Sequence, residues 1–567
     1  MTTPSRPAAG WALPGYALAL TAAVTGPLWS PGYLLIRDAV STPRSYLTDA
    51  AIGLGESAPR AVPQDFAIAV VSAVVDGGLL VRVLLIAGVF LAGLGAGLLA
   101  GRVVPEAGLG GRLTAATVAV WNPFVAERLL QGQWSLVLAY GCLPWVAAGM
   151  IRLRRDGTGW AALVFWIALA GLTPTGAILA AVVALVCVAV PGPAVPRARA
   201  AAGAVAAASC AAAPWLAASL LGSALNMPEG EGLASFSPRA EPLLGTLGSL
   251  AGLGGIWNAE AVPPTRTTGF ALVGTLLLLA VVLCGAPAVL RARTGEPLLV
   301  LAAVAVLVPA AMSTGPGLAL LRAAVETVHG LAVLRDGQKW VALAMPGYAL
   351  AAAGAVLFLR RWMRPALAAL MCCTALLAGL PDLAWGVAGG LRPVHYPPGW
   401  AAATGRINAD PATVAVLPAD IMRRFAWSGP APVLDPAPRW VRAEVLSTGD
   451  LMVAGRMVPG EGGRARQVQA LLESGADPGT LAGAGVGWLL VERGTPGEMG
   501  ASERSVRQLP PAYADADIAV YRIAGVRPPG PQPHRAAVLA AHLLWAATLT
   551  AGAVGLATAA LRRRAQS

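Results

Sequence analysis

Arg37 and Asp38 follow the first apolar stretch directly, at the head of a polar segment, residues 30–77, that also carries Arg44, Asp49, Glu56, Arg60, Asp65 and Asp76. In a chain with only 12% charged residues that density stands out. An ionised carboxylate can take the proton from an attacking hydroxyl, so Asp38 is a candidate general base, with Arg37 orienting it or binding phosphate. Asp49 and Asp65 compete for the same role. The plain alternative is an ion pair between Arg37 and Asp38 that only terminates a helix.

Three further stretches hold polar side chains where few are expected. WNPFVAERLLQGQW (121–134) carries Glu127, Arg128, Gln131 and Gln133. Polar residues so near a membrane usually face a cavity rather than lipid. Asn122-Pro123 reads as a turn, and Trp121 and Trp134 as interfacial anchors. LGTLGSLAGLGGIWNAEAVPPTR (244–266) offers Trp257 and Asn258, an aromatic and an amide suited to a sugar on a flexible lid, with ordinary loop packing as the alternative. HGLAVLRDGQKW (329–340) places Arg335, Asp336 and Lys339 within five residues, a grouping suited to a phosphate or to a salt-bridged helix cap.

Several chemistries lack their residues. The glycines of 244–266 form neither GxGxxG nor a P-loop, so nucleotide binding is unsupported. His329, His395, His534 and His542 show no metal spacing, and no GxSxG elbow is present. No cofactor is indicated. A divalent cation bridged by acidic side chains stays open, without a DxD pair to recommend it. All six cysteines (Cys142, Cys187, Cys210, Cys284, Cys372 and Cys373) lie in apolar segments, which points away from a disulfide framework.

The elements that must position these residues are membrane spans. The chain has 567 residues, is 56% hydrophobic and has a mean hydropathy of +0.65. Those values describe an integral membrane protein. The net charge of +12 sits in short arginine clusters between apolar stretches rather than in a basic domain, so nucleic acid is not expected as a partner. Apolar stretches read as spans fall near 11–29, 79–99, 113–128, 134–151, 158–172, 174–190, 198–221, 269–287, 297–313, 340–358, 365–388 and 536–560, the third, fifth and sixth of them short or broken by proline and glycine. That is about twelve spans. Alternate short loops are arginine-rich (RVVPEAGLGGR, RLRRDG, PRARA, RARTGE, RRWMR and the RRR tail) and should face the cytoplasm, with both termini inside. The longer intervening segments, 30–77, 222–268, 314–339 and 389–534, hold most of the acids. FAIAVVSAVV (66–75) is too short to span and suits a helix lying along the interface.

Residues 389–534 differ in kind. Strand-like runs at 413–418, 488–493 and 518–523 and a helix-like run at 464–474 predict one small α/β domain outside the membrane. The expected organisation is a multi-span region (1–388), this domain (389–534), and a final anchor with a basic tail (535–567). Lys339 is the lone lysine, a usage expected of a very GC-rich, actinobacterial genome. The location expected is the bacterial plasma membrane.

The order of spans, the acidic first outer loop and the trailing outer domain resemble the GT-C superfamily of polyprenyl-phosphate-sugar-dependent glycosyltransferases. With WNPFVAERLLQGQW and LRDGQKW, the chain looks most similar to the arabinofuranosyltransferases and mannosyltransferases of mycobacterial cell-wall assembly. The resemblance implies a polyprenyl-phosphate-linked sugar donor, a glycan or glycolipid acceptor, and an acidic base in the first outer loop, matched here by Asp38. Many members carry paired acids there; this chain has Arg-Asp. The expected reaction moves arabinofuranose or mannose at the outer leaflet, the donor phosphate being held by some of Arg37, Arg60, Arg128, Arg335 and Lys339. Two rivals stand beside it. A flippase of lipid-linked glycans would need charges at mid-depth in the spans, and the charges concentrate at span ends instead. A non-catalytic assembly scaffold is the other.

Overall fold

The structure is a computed structural model that describes residues 7–56, 58–222, 232–327, 330–453, 455–497, 499–526, 530 and 532–566. His329 and part of the 222–268 loop lie outside the described residues.

A helical body comes first. Helix α1 (Pro7–Thr25) leads to a two-stranded hairpin, β1 (Leu35–Ile36) and β2 (Ala39–Val40). The short α2 (Gln64–Val71) precedes the long α3 (Gly77–Val103). Then come α4 (Gly108–Val120), α5 (Pro123–Leu130), α6 (Trp134–Asp156), α7 (Trp160–Ala170), α8 (Pro174–Cys187) and α9 (Arg197–Leu221). After α10 (Gly245–Ala251) the chain runs through α11 (Phe270–Arg291), α12 (Glu296–Met312), α13 (Gly315–Thr327), α14 (Met345–Leu359) and α15 (Pro365–Ala378).

Small residues set the closest crossings. A Cβ on Gly88 of α3 would lie 2.7 Å from Leu138 Cα of α6, and Gly285 of α11 meets the Ala351 carbonyl of α14 in the same way. Apolar lipid tails give helices no hydrophobic reason to associate, so close backbone packing of this kind holds them together.

Among the described residues six helices are long and apolar enough to cross a membrane, or eight if each of two sharply bent pairs counts as one span. The bends are 92° between α12 and α13 and 74° after α15. Helices α7 and α8 are apolar but short. The span expected over 113–128 stops at Val120 because Asn122 caps a new helix: its Oδ1 accepts from Val125 N at 3.1 Å while its Nδ2 donates to Val118 O at 2.7 Å. The interfacial role expected for Trp121 and Trp134 is corrected, since both are buried and Trp121 Nε1 donates to Leu380 O at 2.9 Å. The segment 66–75 is helical only to Val71, and Val70, Val71, Val74 and Val75 are exposed.

The region after α15 carries a four-stranded sheet in the order β3 (Val414–Leu417), β8 (Trp488–Glu492), β10 (Ile518–Arg522), β9 (Pro511–Ala514). Two small pairs, β4 (Met422–Arg423) with β5 (Val433–Leu434) and β6 (Leu451–Val453) with β7 (Arg456–Val458), flank it. Strands β3 and β8 are parallel, and the other pairs antiparallel. Side chains alternate as a two-sided sheet requires. Val414 and Val416 join a core with Trp400 of α16 (Pro398–Ala409), while Ala415 and Leu417 face Val468 and Leu472 of α17 (Gly463–Ser474). The last helix, α18 (Arg535–Gln566), returns to pack against α7 and α9.

Candidate functional site

Asp38 sits at the tip of a two-residue hairpin turn, because Ile36 pairs with Ala39 and Leu35 with Val40. Tight hairpins of this length need positive φ, and Arg37 adopts φ 46° although it is not glycine. A left-handed conformation costs a residue with a Cβ roughly 1–2 kcal/mol. The guanidinium offsets it: Arg37 donates to the carbonyls of Leu130 and Glu260 rather than forming an ion pair with Asp38. Its main chain is pinned as well, Arg37 N donating to Pro432 O at 2.7 Å and Arg37 O accepting from Leu434 N at 2.9 Å. Burial pulls the Arg37 guanidinium below its ordinary value, with Glu260 and Asp38 opposing that.

The loop between α5 and α6 lies against this hairpin. Gly132 makes the approach possible, for a Cβ there would sit 2.5 Å from Ala39 N. Asp38 N donates to Gln131 O at 3.1 Å, and half-buried Asp38 accepts through Oδ2 from Gln133 Nε2 at 2.9 Å. The same Gln133 amide accepts through Oε1 from Arg128 Nη1 at 2.8 Å. That second bond fixes which end of the amide faces the aspartate, so Arg128 orients the donor that holds Asp38.

Arg128 is fully buried and forks onto Asp336, with Nη1 to Oδ2 at 2.8 Å and Nη2 to Oδ1 at 3.0 Å. Gln338 accepts from the same guanidinium. Two parallel charge-assisted bonds give the pair direction as well as strength. Burial alone would raise the Asp336 carboxyl, but Arg128 and Lys339 hold it below its ordinary value. Lys339 Nζ lies 3.8 Å from Asp336 Oδ2. Arg335 stacks on Phe236 with its guanidinium 4.1 Å from the ring centre. It also feels Arg60, Glu461, Asp336 and Asp38 electrostatically, and burial lowers it to about 10, so it stays charged at neutral pH.

Glu127 points the other way along α5. It accepts from Gly255 N and Ile256 N at 3.1 Å each and from Gln338 Nε2 at 3.0 Å. Those bonds tie down the glycine-rich loop expected to act as a lid. Asn258 Nδ2 donates to Gln131 Oε1 at 2.8 Å, and Trp257 packs edge-on against Phe236 at 4.8 Å.

The structure therefore brings together Asp38, Arg128, Asp336, Lys339 and Arg335, with Gln131, Trp257 and Asn258 around them. Arg128, and Arg37 beside the group, direct both Nη groups to partners inside the protein, which leaves Arg335 and Lys339 as the cations best placed to meet a ligand. The remaining candidates pair elsewhere. Asp49 meets Arg535 of α18, Arg60 meets Glu461, and Asp65 meets Arg439 at 3.2 Å. Arg60 and Asp65 border a cavity of about 320 Å³ between the 45–68 loop and the sheet domain. Tyr46, Arg423, Asp435, Arg439 and Glu444 also contribute to its wall. Among the described residues no three His, Cys, Asp or Glu side chains cluster as metal ligands would.

Sequence reasoning passed over Gln338 and named Gln133 without giving it a role. Gln133 stood in view within a stretch already flagged, but nothing local distinguished it from Gln131. Gln338 carried no signal beyond its place between Asp336 and Lys339.

No protein-family model and no curated protein matches the chain. Among solved structures it is similar to the arabinofuranosyltransferase AftD from Mycobacteria, determined by single-particle cryo-electron microscopy. The TM-score is 0.56 at 16% identity, over 92% of this chain and 40% of that one. The chain thus spans less than half the length of the protein it matches. At that identity the likeness is one of fold alone.

Proposed function

We propose that the protein is a GT-C-type glycosyltransferase that moves a sugar, arabinofuranose or mannose, from a polyprenyl-phosphate donor to a cell-wall glycan or glycolipid. The observation that carries this reading is the placement of Asp38. It is a half-buried carboxylate on a pinned hairpin tip, held by an amide that Arg128 orients, and Arg335 and Lys339 lie within its electrostatic reach.

In this reading Arg335 and Lys339 bind the donor phosphate. Asp38 takes the proton of the acceptor hydroxyl as its oxygen bonds to the anomeric carbon. The bond from that carbon to the phosphate oxygen breaks, and its electron pair leaves with the phosphate, which the two cations stabilise. The acceptor approaches from the cavity between the 45–68 loop and the sheet domain, whose carboxylates and guanidinium groups supply both acceptors and donors for hydroxyls. The chain is then a plasma-membrane protein of about twelve spans, its shorter and bent helices included, with both termini cytoplasmic. Its outer domain covers 389–534, between the multi-span region (1–388) and the anchor and tail (535–567).

The test is transfer from a labelled polyprenyl-phospho-sugar by purified protein. Asp38→Asn is expected to reduce transfer by about 10²–10⁴-fold while leaving unfolding unchanged. Undiminished transfer would remove Asp38 from the mechanism. A scaffold would show no transfer and no donor-dependent rise in thermal stability, which an enzyme that binds donor must show.

A further inference from the structure

We infer that the turn joining α3 to α4 binds the phosphodiester of an anionic glycerophospholipid. The site is a concavity of about 540 Å³ whose wall includes Leu98, Gly101, Arg102, Gly108, Leu109 and Arg112. It lies at the end of the molecule opposite the Asp38 hairpin along α3, on the face that the arginine pattern assigns to the cytoplasm.

Both charged residues of this wall are arginines, and Glu106, the one acid of the turn, takes no part in it. The site therefore selects anions. Arg112 of α4 lies across α3 because residue 101 is glycine: a Cβ there would sit 3.1 Å from Arg112 Cδ and 3.2 Å from its Nε. Its Nε is buried without a hydrogen-bond partner, a donor that the protein itself leaves unsatisfied. Arg102 donates to Ala148 O at 3.4 Å and adds the second guanidinium to the wall. A third guanidinium stands close, Arg360 donating to Glu106 O at 3.3 Å.

The apolar part of the wall separates a lipid from a free anion. Leu98 and Leu109 are 39% and 41% exposed on either side of the arginines, at the place where acyl chains descend from a headgroup. Basic pockets between spans on the cytoplasmic side suit anionic headgroups, each arginine adding to the attraction near such a surface.

The experiment uses the full chain in detergent and reads lipid retention by native mass spectrometry. Phosphatidylglycerol is compared with phosphatidylcholine, and inorganic phosphate is added as a competitor. Wild-type protein is expected to retain phosphatidylglycerol selectively. The Arg102→Gln, Arg112→Gln double variant should bind it roughly tenfold or more weakly, while Arg291→Gln with Arg293→Gln, at another basic turn, should not. Equal retention by the double variant and the wild type would overturn the inference. Displacement of the lipid by equimolar inorganic phosphate would overturn it too, because it would show a free-anion site. Should the glutamine variant fail to fold, Arg102→Lys with Arg112→Lys decides: kept charge with kept selectivity supports the site, and lost selectivity rejects it.

Discussion

Arg128 and Arg60 each meet a carboxylate from a distant part of the chain, Asp336 in one case and Glu461 in the other. The Arg128 pair is sealed, its side chains 0% and 5% exposed, whereas those of the Arg60 pair are 50% and 17% exposed. Around Arg128 every partner is fixed by a second bond, down to the amide that holds Asp38. Around Arg60 the contacts form the border of an open cavity. The same pairing of a guanidinium with a carboxylate thus does two kinds of work. Where water is excluded the two groups set geometry; where it enters they can exchange protein partners for a ligand.

The sharpest way to break this contrast is Arg128→Ala, which leaves Asp336 buried without its fork. Removing one member of a buried pair costs about 3–5 kcal/mol, to be read from denaturant unfolding in detergent. A loss below about 1 kcal/mol, the range of an exposed pair, would make the two regions alike. Gln133→Leu comes next, since it removes the donor that holds Asp38 and spares the ion pair. Hydrogen bonds to charged groups contribute about 1.5–3 kcal/mol, so kcat for transfer should fall roughly tenfold or more with the donor KM unchanged. A matching rise in KM would instead place Gln133 in donor binding. The smallest effect belongs to Arg60→Ala, expected to change stability by less than about 1 kcal/mol and to matter less still at high salt. A larger loss would mean that the cavity rim is structural.

The parts that were readable from sequence are those with a local period. Runs 413–418, 488–493 and 518–523 became β3, β8 and β10, and 464–474 became α17, because alternation and helical spacing are properties of neighbours. Span count was harder. Apolar composition marks α7, α8 and α12, but it does not say where a proline or an asparagine cap ends a helix, and Asn122 ended one. In the site, Arg128 and Asp336 were both visible as misplaced charges, yet their pairing across more than two hundred residues has no local signature. The same holds for Asp65 with Arg439 and for Asp49 with Arg535. Tryptophans 121 and 134 misled for a related reason: an amphipathic ring marks a boundary equally well when that boundary is another helix.

Arg37 has one more implication. Its amide and carbonyl are stitched to the strand that begins at Val433, so the hairpin carrying Asp38 and the sheet domain share an edge. Deleting that domain would not be a clean subtraction of whatever it recognises. It would also unlatch the aspartate, and a dead truncation mutant would report lost alignment as readily as lost recognition.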